Sequence, residues 1–144
     1  MTRHLTLRGD TRILWAANPG AARAYMAVTV LSLLEGLGLT ATSPERTSGV
    51  AYRVINQVGD AFWVGVVLLA LFTALVAAPL YAAWAVRYTL LAGAALHLMI
   101  GGSFGASVLA EPTAGPLAPL YGLVLGFWFI SQAELYRIPR AASR

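Results

Sequence analysis

The stretch AFWVGVVLLALFTALVAAPLYAAW, residues 61–84, decides the fold, because it runs without a charged side chain. The hydrocarbon core of a bilayer is about 30 Å thick and takes about 20 helical residues to cross. A helix satisfies its own backbone in lipid, whereas a lone strand leaves amides and carbonyls unpaired. The stretch therefore reads as a membrane-spanning helix. Three more apolar stretches, residues 21–39, 88–110 and 117–135, read the same way. Together they predict an all-α membrane protein, a four-transmembrane-helix bundle over residues 21–136 of the 144-residue chain.

Composition agrees. The chain is 58% hydrophobic and only 11% charged, with mean hydropathy +0.69, where a soluble domain carries about 25% charged residues. The first stretch is expected to be retained rather than cleaved as a signal, since its basic lead-in is long, it contains Glu35, and no small-x-small site follows. The absence of cysteine excludes disulfides, thiolate metal sites and thiol nucleophiles.

Arginine sets the expected orientation. With the N-terminus in the cytoplasm, Arg3, Arg8, Arg12, Arg23, Arg87, Arg137, Arg140 and Arg144 lie inside, and only Arg46 and Arg53 lie outside. Positive charge concentrates on the cytoplasmic side of membrane proteins, so both termini are expected there, in a bacterial inner membrane. Residues 1–20 then form a basic lead-in with Trp15 at the interface and a turn at Asn18-Pro19-Gly20. Residues 137–144 form a basic tail. Trp15, Tyr25, Tyr81, Trp84, Tyr88 and Tyr136 mark the inner boundary, and Phe62, Trp63 and Tyr121 the outer one. The net charge of +4 needs no nucleic acid to explain it.

The connections differ in character. The outer segment 40–60 is long. Ser43-Pro44-Glu45 is a helix start, and Ala51, Ile55, Val58 and Phe62 recur at helical spacing opposite Arg53, Asn56, Gln57 and Asp60, so a short outer amphipathic helix is expected. The link between the second and third spans is very short and centred on Arg87, with Pro79 just before it as a kink. Glu111–Pro116 joins the last two spans, and links this short force antiparallel neighbours. Thr47-Ser48-Gly49, Tyr52 and Trp63 echo Thr113-Ala114-Gly115, Tyr121 and Trp128, a hint of repeated hairpins.

Small residues point to helix contacts. Gly93, His97, Gly101 and Gly105 follow at four-residue steps along one face, and Gly122-x-x-x-Gly126 lies at matching depth in the next span. Such spacings let membrane helices approach closely. They predict tight packing of the third and fourth spans, with a homo-oligomer contact as the competing use.

Two ionisable residues fall inside spans: Glu35 and His97, about 15 Å and 13.5 Å above the inner tyrosines at about 1.5 Å per residue. They read either as an intramembrane polar pair, serving a proton relay or lining a pore, or as separate groups, with Glu35 near the outer headgroups and His97 bonded to backbone. Charge in the membrane interior costs at least about 2.5 kcal/mol, so an unpaired Glu35 would take a proton. No catalytic, cofactor or metal motif is present, and Ser103 and Ser107 read as packing residues. No enzyme activity and no cofactor is expected.

Ser43-Pro44, Gly49, Tyr52-Arg53, Trp63 and Gly65, followed by Pro112-Thr113-Ala114-Gly115, Tyr121, Trp128 and Tyr136-Arg137, resemble a pattern found in small four-span membrane proteins of tailed bacteriophages, the holin-like proteins. The resemblance implies host lysis by an oligomer that permeabilises or remodels the membrane, and supplies no site residues. A structural or interaction subunit with a membrane-protein partner, as in superinfection exclusion, and a small proton-coupled carrier using Glu35 and His97 are the alternatives.

Overall fold

The computed structural model describes residues 11, 15–41, 56, 60–81, 83–110 and 117–136. Four helices occupy them: α1 (Pro19–Ala41), α2 (Ala61–Tyr81), α3 (Ala83–Ala110) and α4 (Leu117–Leu135). The fold is all-α among the described residues, and α1, α2 and α3 are each long and apolar enough to cross a membrane. In α4 the polar run Ser131-Gln132 with Glu134 dilutes a 19-residue helix, so it falls short of the other three. The expected outer amphipathic helix and the echoed loop residues lie outside the described residues, apart from Asn56, which is helical. So do Arg12, Arg137 and Arg140.

Packing is heaviest within two antiparallel hairpins, α1–α2 and α3–α4; it is lighter between α2 and α3, and lightest between α1 and α4. One end of the bundle, the terminal end, carries Pro19, Tyr81, Ala83 and Leu135, and the other, the loop end, carries Ala41, Ala61, Ala110 and Leu117. The core between the hairpins is Val28, Leu68, Leu71, Leu75, Val86, Leu90, Ala94 and Phe129. Outside it the helices turn large apolar side chains to their surroundings, among them Met26, Leu34, Val67, Val76, Met99, Leu120, Val124 and Phe127. Exposed apolar area on that scale is foreign to a water-facing monomer and ordinary for a helix facing lipid.

The helix ends refine the sequence expectations, and one of them corrects an expectation. Asn18-Pro19-Gly20 forms the expected turn and is at the same time the start of α1: the Ala21 amide donates to the Asn18 carbonyl oxygen at 3.1 Å and to Asn18 Oδ1 at 3.2 Å, and Pro19 at the first helical position gives up an amide that would be unpaired anyway. Asp60 caps α2, its Oδ1 accepting from the Phe62 amide at 3.3 Å. Arg87 sits inside α3 rather than in a link, because α3 already begins at Ala83. There it lies 3.5 Å from Glu134 of α4 in a half-exposed ion pair, a contact worth under about 1 kcal/mol.

Pro79 explains a buried tyrosine. It lies inside α2, has no amide hydrogen, and so leaves the Leu75 carbonyl four residues back without its helical donor. The Tyr25 hydroxyl fills the gap, donating to the Leu75 carbonyl oxygen at 2.6 Å. Tyr25 and Tyr136, expected at the membrane boundary, are instead buried in the bundle at 4% and 2% exposure. Trp15 Nε1 donates to the Tyr136 hydroxyl at 2.7 Å, and the Trp15 and Tyr25 rings lie 5.5 Å apart. The lead-in is thus tied to the terminal end of the bundle. Tyr25→Phe is expected to lower stability by about 1–3 kcal/mol, the cost of a buried polar group left unsatisfied, with Pro79→Ala restoring most of the loss. Thermal unfolding in detergent checks both, and an unchanged Tyr25→Phe would remove this account.

Candidate functional site

Hydroxyls in the helices explain themselves locally. Thr29, Ser32, Thr40, Thr73, Thr89 and Ser107 each donate to the carbonyl four residues back, which hides the hydroxyl inside the helix that carries it. Ser107 therefore serves its own helix, and among the described residues nothing pairs it with a base. Glu35 and His97 have no such local solution for all their atoms.

The structure brings these two together. His97 Nε2 lies 2.8 Å from Glu35 Oε2, and His97 Nδ1 lies 2.8 Å from the Gly93 carbonyl oxygen. The histidine side chain is 2% exposed and the glutamate 18%. Both sequence alternatives for His97 hold at once, since one ring nitrogen reaches backbone and the other reaches the carboxylate. Phe129 of α4 stacks on the imidazole at 4.8 Å between centroids with the planes 24° apart. Gly93 makes that stack possible, because a Cβ there would lie 2.5 Å from Phe129 Cε1. On the carboxylate side the Tyr121 hydroxyl of α4 lies within electrostatic range of Glu35.

The position of the pair matters as much as its geometry. Glu35 belongs to the first hairpin and His97 to the second, where helix-to-helix packing is sparse. Toward the terminal end the next layer is Leu71, Leu75, Leu90 and Phe129, all buried. Toward the loop end, Glu35 is six residues from the end of α1 at Ala41 and Tyr121 is four from the start of α4. Those offsets are about 9 Å and 6 Å at 1.5 Å per residue.

The glycines seal each hairpin separately. A Cβ on Gly122 would lie 2.6 Å from Gly101 Cα and 3.0 Å from the His97 carbonyl oxygen, and one on Gly101 would lie 2.8 Å from the Leu123 nitrogen. Gly126 admits Leu98, whose Cδ2 would be 2.6 Å from an added Cβ. Gly105 does not take part closely, its nearest neighbour being Pro119 Cβ at 3.8 Å. Sequence reasoning missed the matching contact in the first hairpin, where a Cβ on Gly65 would lie 2.8 Å from the Thr40 nitrogen and 2.9 Å from the Gly36 carbonyl oxygen. The signal was available: Gly36 and Gly65 sit near the same end of two neighbouring spans. It also missed Gln132, buried in α4 with no hydrogen-bond partner for its Oε1 among the described residues.

Among the described residues no cluster of three or more His, Cys, Asp or Glu is placed to hold a metal ion. Comparison with family models, curated proteins and solved structures finds no match to this chain.

Proposed function

We propose that the chain is a holin-like protein of the bacterial inner membrane, crossing it four times with both termini in the cytoplasm, which associates with further copies to permeabilise or remodel the bilayer. One observation carries the reading: two hairpins, each closed by its own glycine contacts, meet across a boundary that holds the buried polar pair. Closed, the molecule shows lipid an apolar surface and hides Glu35 and His97. Parting the hairpins leaves each one sealed and turns the pair, with Tyr121 beside it, toward a new opening. Copies that open together then line it with polar groups. The glycine faces of α3 and α4 are used within the chain, so copies meet through other surfaces.

Support for the fourth crossing comes from α4 lying antiparallel along α3 at backbone contact, with Leu120, Val124 and Phe127 exposed along its outer face. Support for the orientation comes from eight arginines that the topology assigns to the terminal end against two at the loop end.

Induced expression in a bacterial host with a potential-sensitive dye tests the proposal. The expected result is abrupt loss of membrane potential with growth arrest. Sustained growth with the potential intact, together with co-purification of a membrane partner, would instead identify an interaction subunit. The Glu35–His97 contact also favours a second reading, a proton-coupled carrier, for which a substrate-dependent flux abolished by Glu35→Gln is the required result.

A further inference from the structure

We infer that Glu35 and His97 form a binding site for a single exchangeable proton, and that the two hairpins stay joined at this point only while the proton is bound. The inference rests on reading the chain as a membrane-embedded bundle and stands or falls apart from permeabilisation.

The hydrogen-bond inventory fixes the proton count. A carbonyl oxygen only accepts, so the 2.8 Å contact to Gly93 requires a hydrogen on His97 Nδ1. With Nδ1 protonated, the 2.8 Å contact between Nε2 and Glu35 Oε2 needs one more hydrogen between two atoms that are otherwise both acceptors. That proton sits on Nε2, giving an imidazolium and a carboxylate, or on Oε2, giving a neutral pair. The site as a whole is uncharged either way, which is the condition for burying it in lipid at low cost. Removing the proton to water leaves the Nε2 lone pair facing a carboxylate oxygen. The attraction becomes a repulsion, and one net negative charge is buried. The contact then breaks. A second proton has a place only on the carboxylate, which Tyr121 faces.

Nothing else among the described residues competes for the role. On α1 the only other titratable side chain between Arg23 and Ala41 is Tyr25, whose hydroxyl is committed to the Leu75 carbonyl oxygen. On α2 none lies between Asp60 at the loop end and Tyr81 at the terminal end, and on α3 none between Tyr88 and Ala110 besides His97 itself. On α4 the only groups are Tyr121, already at the site, and Glu134, paired with Arg87 at the terminal end. The Phe129 ring on the imidazole and the apolar layer behind it close the terminal side. With that side closed, the proton exchanges at the Glu35 edge, whose side chain is 18% exposed.

The test uses the full chain in vesicles of phosphatidylethanolamine and phosphatidylglycerol, with isotope-labelled histidine read by the nitrogen resonances of the imidazole. The chain holds 2 histidines, so His4→Ala leaves His97 as the sole reporter. The expected result is a protonated Nδ1 throughout a titration upward from about pH 5, with the Nε2 resonance shifting in one step as the shared proton leaves the site. Glu35→Gln is expected to abolish that step, because the amide donates to Nε2 and holds it as a bare acceptor. A bare Nδ1, or an Nε2 that follows the same course in wild type and Glu35→Gln, would overturn the inference. Neither outcome depends on whether expressed protein collapses the membrane potential.

Discussion

Gly122→Val is expected to unfold the second hairpin. The added Cβ would stand 2.6 Å from Gly101 Cα and 2.7 Å from the Gly101 nitrogen, both backbone atoms. No rotamer change relieves a collision with backbone, so α3 and α4 must move apart along their closest contact. Overpacking of a core costs about 1–3 kcal/mol when side chains can adjust. Here the upper end of that range or more is expected. The movement would also disturb the His97 carbonyl, 3.0 Å from the same Cβ. Gly102→Val is the control, since nothing lies within 4 Å of a Cβ there, and a substitution into open space changes stability by about 0.5 kcal/mol or less. Thermal unfolding of purified protein in detergent separates the two. Equal effects of Gly122→Val and Gly102→Val would mean that the glycine contact does not hold the hairpin together.

The sequence made the existence of the helices legible because lipid imposes one rule on all of them: about 20 apolar residues in a row. The boundaries were less legible, because polar atoms at helix ends are satisfied by capping chemistry that hydropathy does not see. Asn18 and Asp60 look like turn or surface residues until their oxygens meet the amides of Ala21 and Phe62. Tyr25 and Tyr136 failed as boundary markers for a related reason. A tyrosine prefers the interface only while its hydroxyl needs water, and here the hydroxyls find the Leu75 carbonyl and the Trp15 indole inside the bundle. Pro79 was the clue for the first of these. A proline in a membrane helix frees a carbonyl four residues back, and some neighbouring donor must answer it.

For the site, depth along parallel helices placed Glu35 and His97 at one level, which spacing alone can do. Spacing could not say that the two rows face each other, because rotation about the helix axis depends on the whole packing arrangement. Gly105 shows the same limit. It shares a face with Gly101 in the sequence, yet α4 meets it only at ordinary van der Waals distance, through Pro119 Cβ at 3.8 Å, where Gly101 meets backbone at 2.8 Å.

Breaking the polar pair from one side is the other change with a large expected effect, and a double-mutant cycle decides what the pair contributes. His97→Leu removes the partner of Glu35 Oε2 and leaves a carboxylate in an apolar setting. Keeping it charged costs about 2.5–3.5 kcal/mol, so the loss of stability is capped by the cost of protonating it instead, and about 2 kcal/mol or more is expected. Glu35→Met leaves the imidazole uncharged, with Nε2 unpaired, and is expected to lose about 1–2 kcal/mol. The double variant replaces both groups with apolar side chains, which for a buried pair is often nearly neutral. Its loss should therefore fall short of the sum by about 1–2 kcal/mol. Additive losses would mean that the two side chains do not recognise each other in the folded protein, and the hairpins would have to be joined by the apolar core and the Trp15–Tyr136 contact alone. A coupling of the expected size would place the joint between the hairpins at the contact of His97 with Glu35.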